Sequence, residues 1–286
     1  MNLALISARD HVDDAAVVDG PLINALAKRD VNVTVACWDD HTVNWGRFDA
    51  AVVRTVWNYQ HHRDTFLATI DTIATQTQLI NPAPLIRWNT HKNYLVDLEE
   101  QGAPVIQTVI VPRGSDVTLD TLARMHGFEH LIIKPAVGAG GRNVTHGDEA
   151  TLADTFLDLL RSEDMVVQPY VDTVATDGEL SVIVCGNTVS HAVRKTPPPG
   201  DFRAHERYGA RYRAVTPTAA EAALALWLVA ALHPHTPTIA RIDLLADANH
   251  TLYVSEVELT EPNLYLTYHD AAAHNVADAV INAVDA

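Results

Sequence analysis

Lysine is almost missing from this chain: among 286 residues there are four, Lys28, Lys92, Lys134 and Lys195. Positive charge is short altogether, with 20 Lys and Arg against 36 Asp and Glu and a formal net charge of -16. A groove that tracks nucleic acid needs a basic stripe, so no nucleic-acid partner is expected. Only two cysteines occur, Cys37 and Cys185, in the strand-like runs TVACW and VIVCG and at no zinc-binding spacing. Both are expected as small core residues in a reducing compartment. Long apolar runs are missing too. The longest, AALALWLVAAL around Trp227, stops well short of the roughly 20 residues of a membrane span, so no membrane partner is expected. The opening MNLALISARDHVDD turns acidic after one short apolar run, which reads as a first strand and not a secretory leader. A cytoplasmic protein is the expectation.

The composition is that of a globular protein, 48% hydrophobic and 20% charged, over a length that suits two or three packed α/β layers or subdomains. In the first part, residues 3–7, 31–36, 50–54 and 78–80 read as strands, and 15–28 and 65–75 as helices. Strands separated by such helices imply βαβ units and a parallel sheet. Ligands gather at the carboxyl ends of such strands, where Arg54, Trp57 and Tyr59 fall. Asn81-Pro82-Ala83-Pro84 reads as a linker. A helix capped by Asn89 or Thr90 and closed by Gly102 follows, then short strands and helices up to Tyr170. The last part holds strands at 180–184 and 188–193, a loop rich in Pro, Gly and Arg at 196–213, and a helix at 219–232. Strands at 238–245 and 251–254 and a terminal helix complete it. Domains are expected at 1–85, 86–170 and 171–286.

The segment LIIKPAVGAGGRNV is the first chemical signal. A strand carrying Lys134 runs into a loop with Gly138, Gly140 and Gly141. Glycines let backbone N–H groups approach an anion, and a lysine at the base adds a point charge. No Gly-Lys-Ser/Thr follows, so this is not a Walker A loop, and the spacing does not fit a dinucleotide fingerprint. Taken alone, it also fits a flexible hairpin turn. The second signal is a carboxylate set. Arg241 and Asp243 share one face of a strand, as do Glu256 and Glu258 on the next, because strand residues two apart point the same way. Three carboxylates on one face repel unless a hard cation sits among them, and Mg²⁺ shared with substrate phosphates fits. An acidic solvent-facing strand pair is the alternative. The interleaved Arg241, Val254, Val257 and Leu259 argue against it.

In type and order these residues resemble the ATP-grasp superfamily, from Thr90 to Asn263. The resemblance implies an α/β ATP-grasp fold: an N-terminal parallel-sheet domain followed by two α+β subdomains that clasp ATP. It implies that Lys92 and Lys134, beside Gly138, Gly140 and Gly141, contact the nucleotide phosphates. The segment Gln168-Pro169-Tyr170 would meet adenine through its backbone, and Glu179 would bind the ribose. Arg203, in Gly200-Asp201-Phe202-Arg203, would reach the transferred phosphate, and Arg241 would stabilise the oxyanion. Asp243, Glu256 and Glu258 would bind Mg²⁺, as two ions. Two residues depart from the family's pattern. Gln168 stands where many members have an acid, and Glu258 where Asn is usual. Within the superfamily, Val53-Arg54-Thr55-Val56-Trp57-Asn58-Tyr59, Arg87-Trp88-Asn89 and His191-Ala192-Val193-Arg194-Lys195 are similar to the group of D-cycloserine-forming ligases. Glutathione-synthetase-like and D-alanine–D-alanine-ligase-like enzymes are the neighbouring groups.

That resemblance implies an ADP-forming ligase of antibiotic biosynthesis. A carbonyl or carboxylate oxygen of a small amino-acid-like substrate would be phosphorylated, and an amine would displace the phosphate. Arg54 is expected to bind the substrate carboxylate. Trp57 and Tyr59 either line its pocket or pack between domains, and Asn263 is expected to meet the substrate. Arg194 and Lys195 recognise substrate carboxylate or phosphate, and since adjacent strand residues face opposite sides, one of them should enter the site. Two rival readings stay open: a ligase joining two amino acids or peptides, and an ATP-binding sensor without turnover. A homodimer is compatible with each. His61-His62 and His233-Pro234-His235 have no partner at metal-ligand spacing and are expected at the surface.

Overall fold

The computed structural model describes residues 1–232 and 234–285, so His233 lies outside the described residues. Strands β1 (Asn2–Ser7), β2 (Asn32–Cys37), β3 (Ala50–Thr55) and β4 (Gln78–Ile80) form a parallel sheet in the order β2-β1-β3-β4. β3 is buried at every position, as a strand covered on both faces must be. The helices are α1 (Val12–Val18), α2 (Gly20–Ala27) and α3 (Arg63–Gln76). The single helix expected at 15–28 is therefore two. Pro21 falls in the first turn of α2, where its missing N–H costs nothing, and the break leaves Asp19 fully buried at the junction.

The expected linker at 81–84 is also corrected. Asn81 is buried at φ 56, and its side-chain amide donates to the carbonyls of Ile239 and Leu259. Its side-chain oxygen accepts from the N–H groups of Thr238 and Ile239. Helix α4 (Ala83–Asn89) starts immediately afterwards, followed by α5 (Tyr94–Glu100). This segment is thus stitched to the last sheet.

The second sheet is antiparallel, in the order β5 (Val109–Val111), β8 (Met165–Pro169), β6 (Leu131–Pro135), β7 (Thr145–Gly147). Helices α6 (Leu119–His126) and α7 (Glu149–Leu160) close a core around Leu122, Ile133, Phe156 and Val167. The short helix α8 (Val174–Asp177) leads into the third sheet. Its antiparallel strands are β9 (Glu179–Cys185), β10 (Thr188–Thr196), β11 (Arg211–Val215), β12 (Ile239–Ala246) and β13 (Leu252–Glu258), ordered β11-β10-β9-β12-β13, with helix α9 (Ala219–Ala231) between β11 and β12. β11 replaces part of the expected loop at 196–213. It is an edge strand whose RYRAV side chains are mostly exposed, so no apolar alternation marks it in the sequence. Helix α10 (Ala272–Asp285) then returns to the first part of the chain, packing Val276, Ala277 and Val280 into one core with Leu22 and Leu26. No described helix is long and apolar enough to cross a membrane.

Candidate active site

Strand register assembles the site. Lys195 on β10 opposes Glu179 on β9, Asp243 on β12 opposes Ser181 on β9 and Glu256 on β13, and Arg241 opposes Glu258. One face of the third sheet therefore collects every predicted metal-binding acid. One oxygen from each of Asp243, Glu256 and Glu258 lies within 4.8 Å of the other two. An all-oxygen, carboxylate-rich donor set of this kind fits Mg²⁺. Gly178 permits the approach of β9 to β10: it sits at φ +70, and a Cβ there would lie 2.4 Å from the Lys195 carbonyl oxygen. Arg194 is the residue of its pair that stays out. It points to the other face and bonds Glu221 at 3.1 Å, so its expected substrate role is corrected to a structural ion pair.

Cations neutralise the acids. Lys92 Nζ lies 2.9 Å from Glu256, Lys195 Nζ lies 3.2 Å from Asp243 and also pairs with Glu179, and Arg241 bonds both Asp243 and Glu258. Burial opposes ionisation of Asp243, but Arg241 and Lys195 outweigh it and hold the carboxyl well below the usual range. For Glu258 burial prevails: together with the nearby charges of Glu256 and Asp243 it outweighs Arg241 and pushes the carboxyl up to about 8. Among the described residues, Lys134 is the cavity lysine without an ion-pair partner, and burial lowers its pKa.

The loops over this face are tied to it. Lys92 Nζ donates to the Gly138 carbonyl at 3.1 Å, and the Ala139 N–H donates to the side-chain oxygen of Gln60 at 2.5 Å. Gly141 takes φ +71, and a Cβ there would come within 3.0 Å of the Tyr208 ring. Arg203 lines the same cavity, bonded to Asp201 at 2.7 Å. That cavity, of about 210 Å³, runs between the second and third sheets. Lys92, Lys134, Gly138, Gly140, Gly141, Pro169, Tyr170, Glu179 and Arg203 all border it. Gln168 reaches it too, but its buried side-chain amide donates to Thr108 at 2.8 Å, which leaves the backbone to face a ligand. Glu179 accepts from Ser255 at 2.6 Å besides its pairing with Lys195, so a ribose hydroxyl has to compete with both.

A second cavity, of about 540 Å³, meets the first at Lys195, Arg241 and Glu258 and extends past Trp57, Glu261, Asn263 and Tyr265. Two expected substrate residues are corrected here. Arg54 is 2% exposed and donates to Asp19 at 2.9 and 2.8 Å and to the Pro262 carbonyl at 2.9 Å, lining neither cavity. Tyr59 is buried against Phe66 and also lines neither; it lies beside Glu261, behind the wall. Trp57 and Asn263 do face the cavity, and the exposed His61 stands at its rim. Sequence reasoning missed Glu261, Tyr208 and Gln60. Glu261 carried a signal, a further acid three residues beyond Glu258; the other two carried none, since their partners are loop backbone.

Two α+β layers clasping a lysine- and glycine-lined cavity over a carboxylate trio define an ATP-grasp ligase. The chain belongs to the RimK-like ATP-grasp family, whose pattern matches residues 98–284. Residues 3–81 match the pattern described as the N-terminal domain of the D-cycloserine synthetase DcsG. The chain is 32% identical over 278 residues to the cycloserine biosynthesis protein DcsG of Streptomyces lavendulae, covering 91% of each. It superposes on a crystal structure of D-cycloserine synthetase DcsG with TM-score 0.89 and 30% identity, over 99% of this chain and 100% of the other. A D-alanine–D-alanine ligase from Bacillus anthracis complexed with ATP shares the fold, with TM-score 0.72 at 16% identity over 99% and 97% of the two chains. This chain is thus an ATP-dependent ligase.

Proposed function

We propose that the enzyme uses ATP and Mg²⁺ to phosphorylate a carboxylate or carbonyl oxygen of a small amino-acid-like substrate, and that a nitrogen of the same molecule then displaces phosphate to close a D-cycloserine-like ring. One observation carries this reading: the two cavities meet at Lys195, Arg241 and Glu258. A phosphoryl group leaving a nucleotide in the first enters the second beside a guanidinium able to stabilise an oxyanion. The 32% identity to DcsG over 91% of both chains supports the ring-closing outcome.

In this reading Lys92, Lys134 and Arg203 neutralise charge on the phosphates, and the loop at 138–141 excludes water. Asp243, Glu256 and Glu258 hold Mg²⁺, as two ions, which supplies charge neutralisation at the phosphates. The backbone of 168–170 receives the base and Glu179 the ribose. Trp57 and Asn263 wall the substrate, and Lys195 and Arg241 meet its activated oxygen. Ring closure is intramolecular, so orientation alone lowers the barrier by several kcal/mol.

The test is product mass. The protein is incubated with ATP, Mg²⁺ and β-aminooxy-D-alanine, either free or carbamoylated on the aminooxy nitrogen; both are open-chain forms of the D-cycloserine ring. Loss of water from either form, with ADP formed, is the expected result; from the carbamoylated form, hydrolysis of the closed ring's carbamoyl group then consumes one water and releases carbamic acid in a separate step. A product joining two substrate molecules shows an intermolecular ligase instead, and binding of ATP without ADP formation shows a sensor.

A further inference from the structure

Of the acids around the junction of the two cavities, Glu256 is held by Lys92, Glu258 by Arg241, and Asp243 by Arg241 and Lys195. Glu261 lines the second cavity, is 8% exposed and takes part in no ion pair among the described residues. Its position is nevertheless fixed. The Trp57 indole N–H donates to its carbonyl at 3.2 Å, Pro262 follows, and the buried Tyr59 lies beside its carboxyl. The groups facing it are Tyr59 from the turn after β3, Lys92 from the segment before α5, Arg241 from β12, and Glu256 and Glu258 from β13.

We propose that Glu261 is the base that takes the proton of the attacking nitrogen, with Tyr59 as its positioning residue. This rests on the ligase reading above. The nitrogen lone pair forms the new bond to the carbonyl carbon. The bond from that carbon to the phosphate oxygen breaks, and inorganic phosphate leaves with its electrons. The N–H proton passes to a Glu261 carboxylate oxygen and from there to water in the cavity. Other groups are unsuited. Lys92, Lys195 and Arg241 are each engaged in ion pairs with the acids beside them. Asp243 and Glu256 are taken up by ion pairs to Arg241, Lys195 and Lys92, and burial brings His205 down to about 4, which makes it a weak base. Burial raises Glu261 to about 7, against Tyr59 and Lys92, near the value that suits a base at neutral pH.

The experiment compares wild type with Glu261→Gln, using β-aminooxy-D-alanine, free and carbamoylated, with ATP and Mg²⁺. Ring product is measured in one arm. Added hydroxylamine traps the activated carboxyl as a hydroxamate in the other. Hydroxylamine is a neutral nucleophile that sheds its proton to water. With the carbamoylated substrate, whose attacking N–H is acylated and weakly nucleophilic, Glu261→Gln is expected to lose product about 10²–10⁴-fold while hydroxamate stays within about threefold of wild type; the free aminooxy form, itself a hydroxylamine, should lose less. Glu261→Asp should recover part of the product rate. Tyr59→Phe should lower kcat with little change in KM. Unchanged product formation in Glu261→Gln overturns the proposal. Equal loss of product and hydroxamate also overturns it, placing Glu261 in phosphoryl transfer. If wild type yields neither product nor hydroxamate, the ligation reading itself falls and the base assignment with it.

Discussion

The hydroxyl of Tyr208 donates to the carbonyl of Gly141 at 3.2 Å, and the guanidinium of Arg203 lies 3.7 Å from the centre of the same ring. One aromatic side chain thereby joins the glycine loop to the loop that carries Arg203. Tyr208→Phe keeps the ring and removes a hydrogen bond worth about 0.5–1.5 kcal/mol, so KM for ATP should rise about 2–10-fold. Tyr208→Ala removes both links and should lower kcat as well. Steady-state kinetics decide, and an unchanged KM in the alanine variant would show that the loops close independently.

Lys134 is available to a phosphate because no acid among the described residues claims it. Hydrogen bonds to charged groups contribute about 1.5–3 kcal/mol, so Lys134→Ala should weaken binding of a non-hydrolysable ATP analogue by about 10–150-fold. The free protein should melt no lower than wild type, since a half-buried unpaired ammonium has been removed. Calorimetric titration and thermal melting together check this; undiminished affinity would exclude Lys134 from the nucleotide site.

Arg54 matters to folding, not to catalysis. It pairs with Asp19, which is 0% exposed and has one carboxylate oxygen without a partner among the described residues. Arg54→Ala strands that charge and should destabilise the fold by about 3–5 kcal/mol. Denaturant unfolding measures this. Wild-type stability with a raised substrate KM would return Arg54 to the substrate site.

Stability should fall with rising pH above neutrality. Glu258 and Glu261 have pKa values of about 8 and about 7 in the fold, against 4.5 for an ordinary Glu. Their contribution is complete below pH 4.5 and is lost as pH rises through 7 to 8. His205 runs the other way: lowered by burial to about 4 from 6.5, it contributes fully above pH 6.5 and loses this as pH falls. Between pH 6.5 and 8 the melting temperature of nucleotide-free protein should therefore drop, and less steeply in Glu261→Gln. Scanning calorimetry across that window tests it, and a rising melting temperature would contradict it.

The geometric grouping of the site was largely legible because it follows strand alternation. Asp243, Glu256 and Glu258 had to share a face once β12 and β13 paired, and Lys134 had to open the glycine loop. What could not be read was which partner waits on a given side. Arg54 sits at a strand end, as a ligand residue should, but the break at Gly20-Pro21 delivers Asp19 to it from 35 residues away. Tyr59 lies in the expected region, yet it is buried behind Glu261. The fold was legible where burial imposes a pattern, as in β1 and β3. It was not legible at β11, whose exposed side chains leave hydrogen bonding to β10 as its sole reason to be a strand.

Three of the four lysines line one cavity, which is where an acylating intermediate would be made. A mixed anhydride with phosphate reacts with any neutral amine, the enzyme's own included. Burial favours the neutral form of Lys92 and Lys195, but Glu256 for the first, and Asp243 and Glu179 for the second, outweigh it and keep both protonated. A protonated amine has no lone pair to offer. On the ligase reading above, the same ion pairs that hold the carboxylates in place would also act as protecting groups for these two lysines, leaving the substrate's nitrogen without a competitor from either of them.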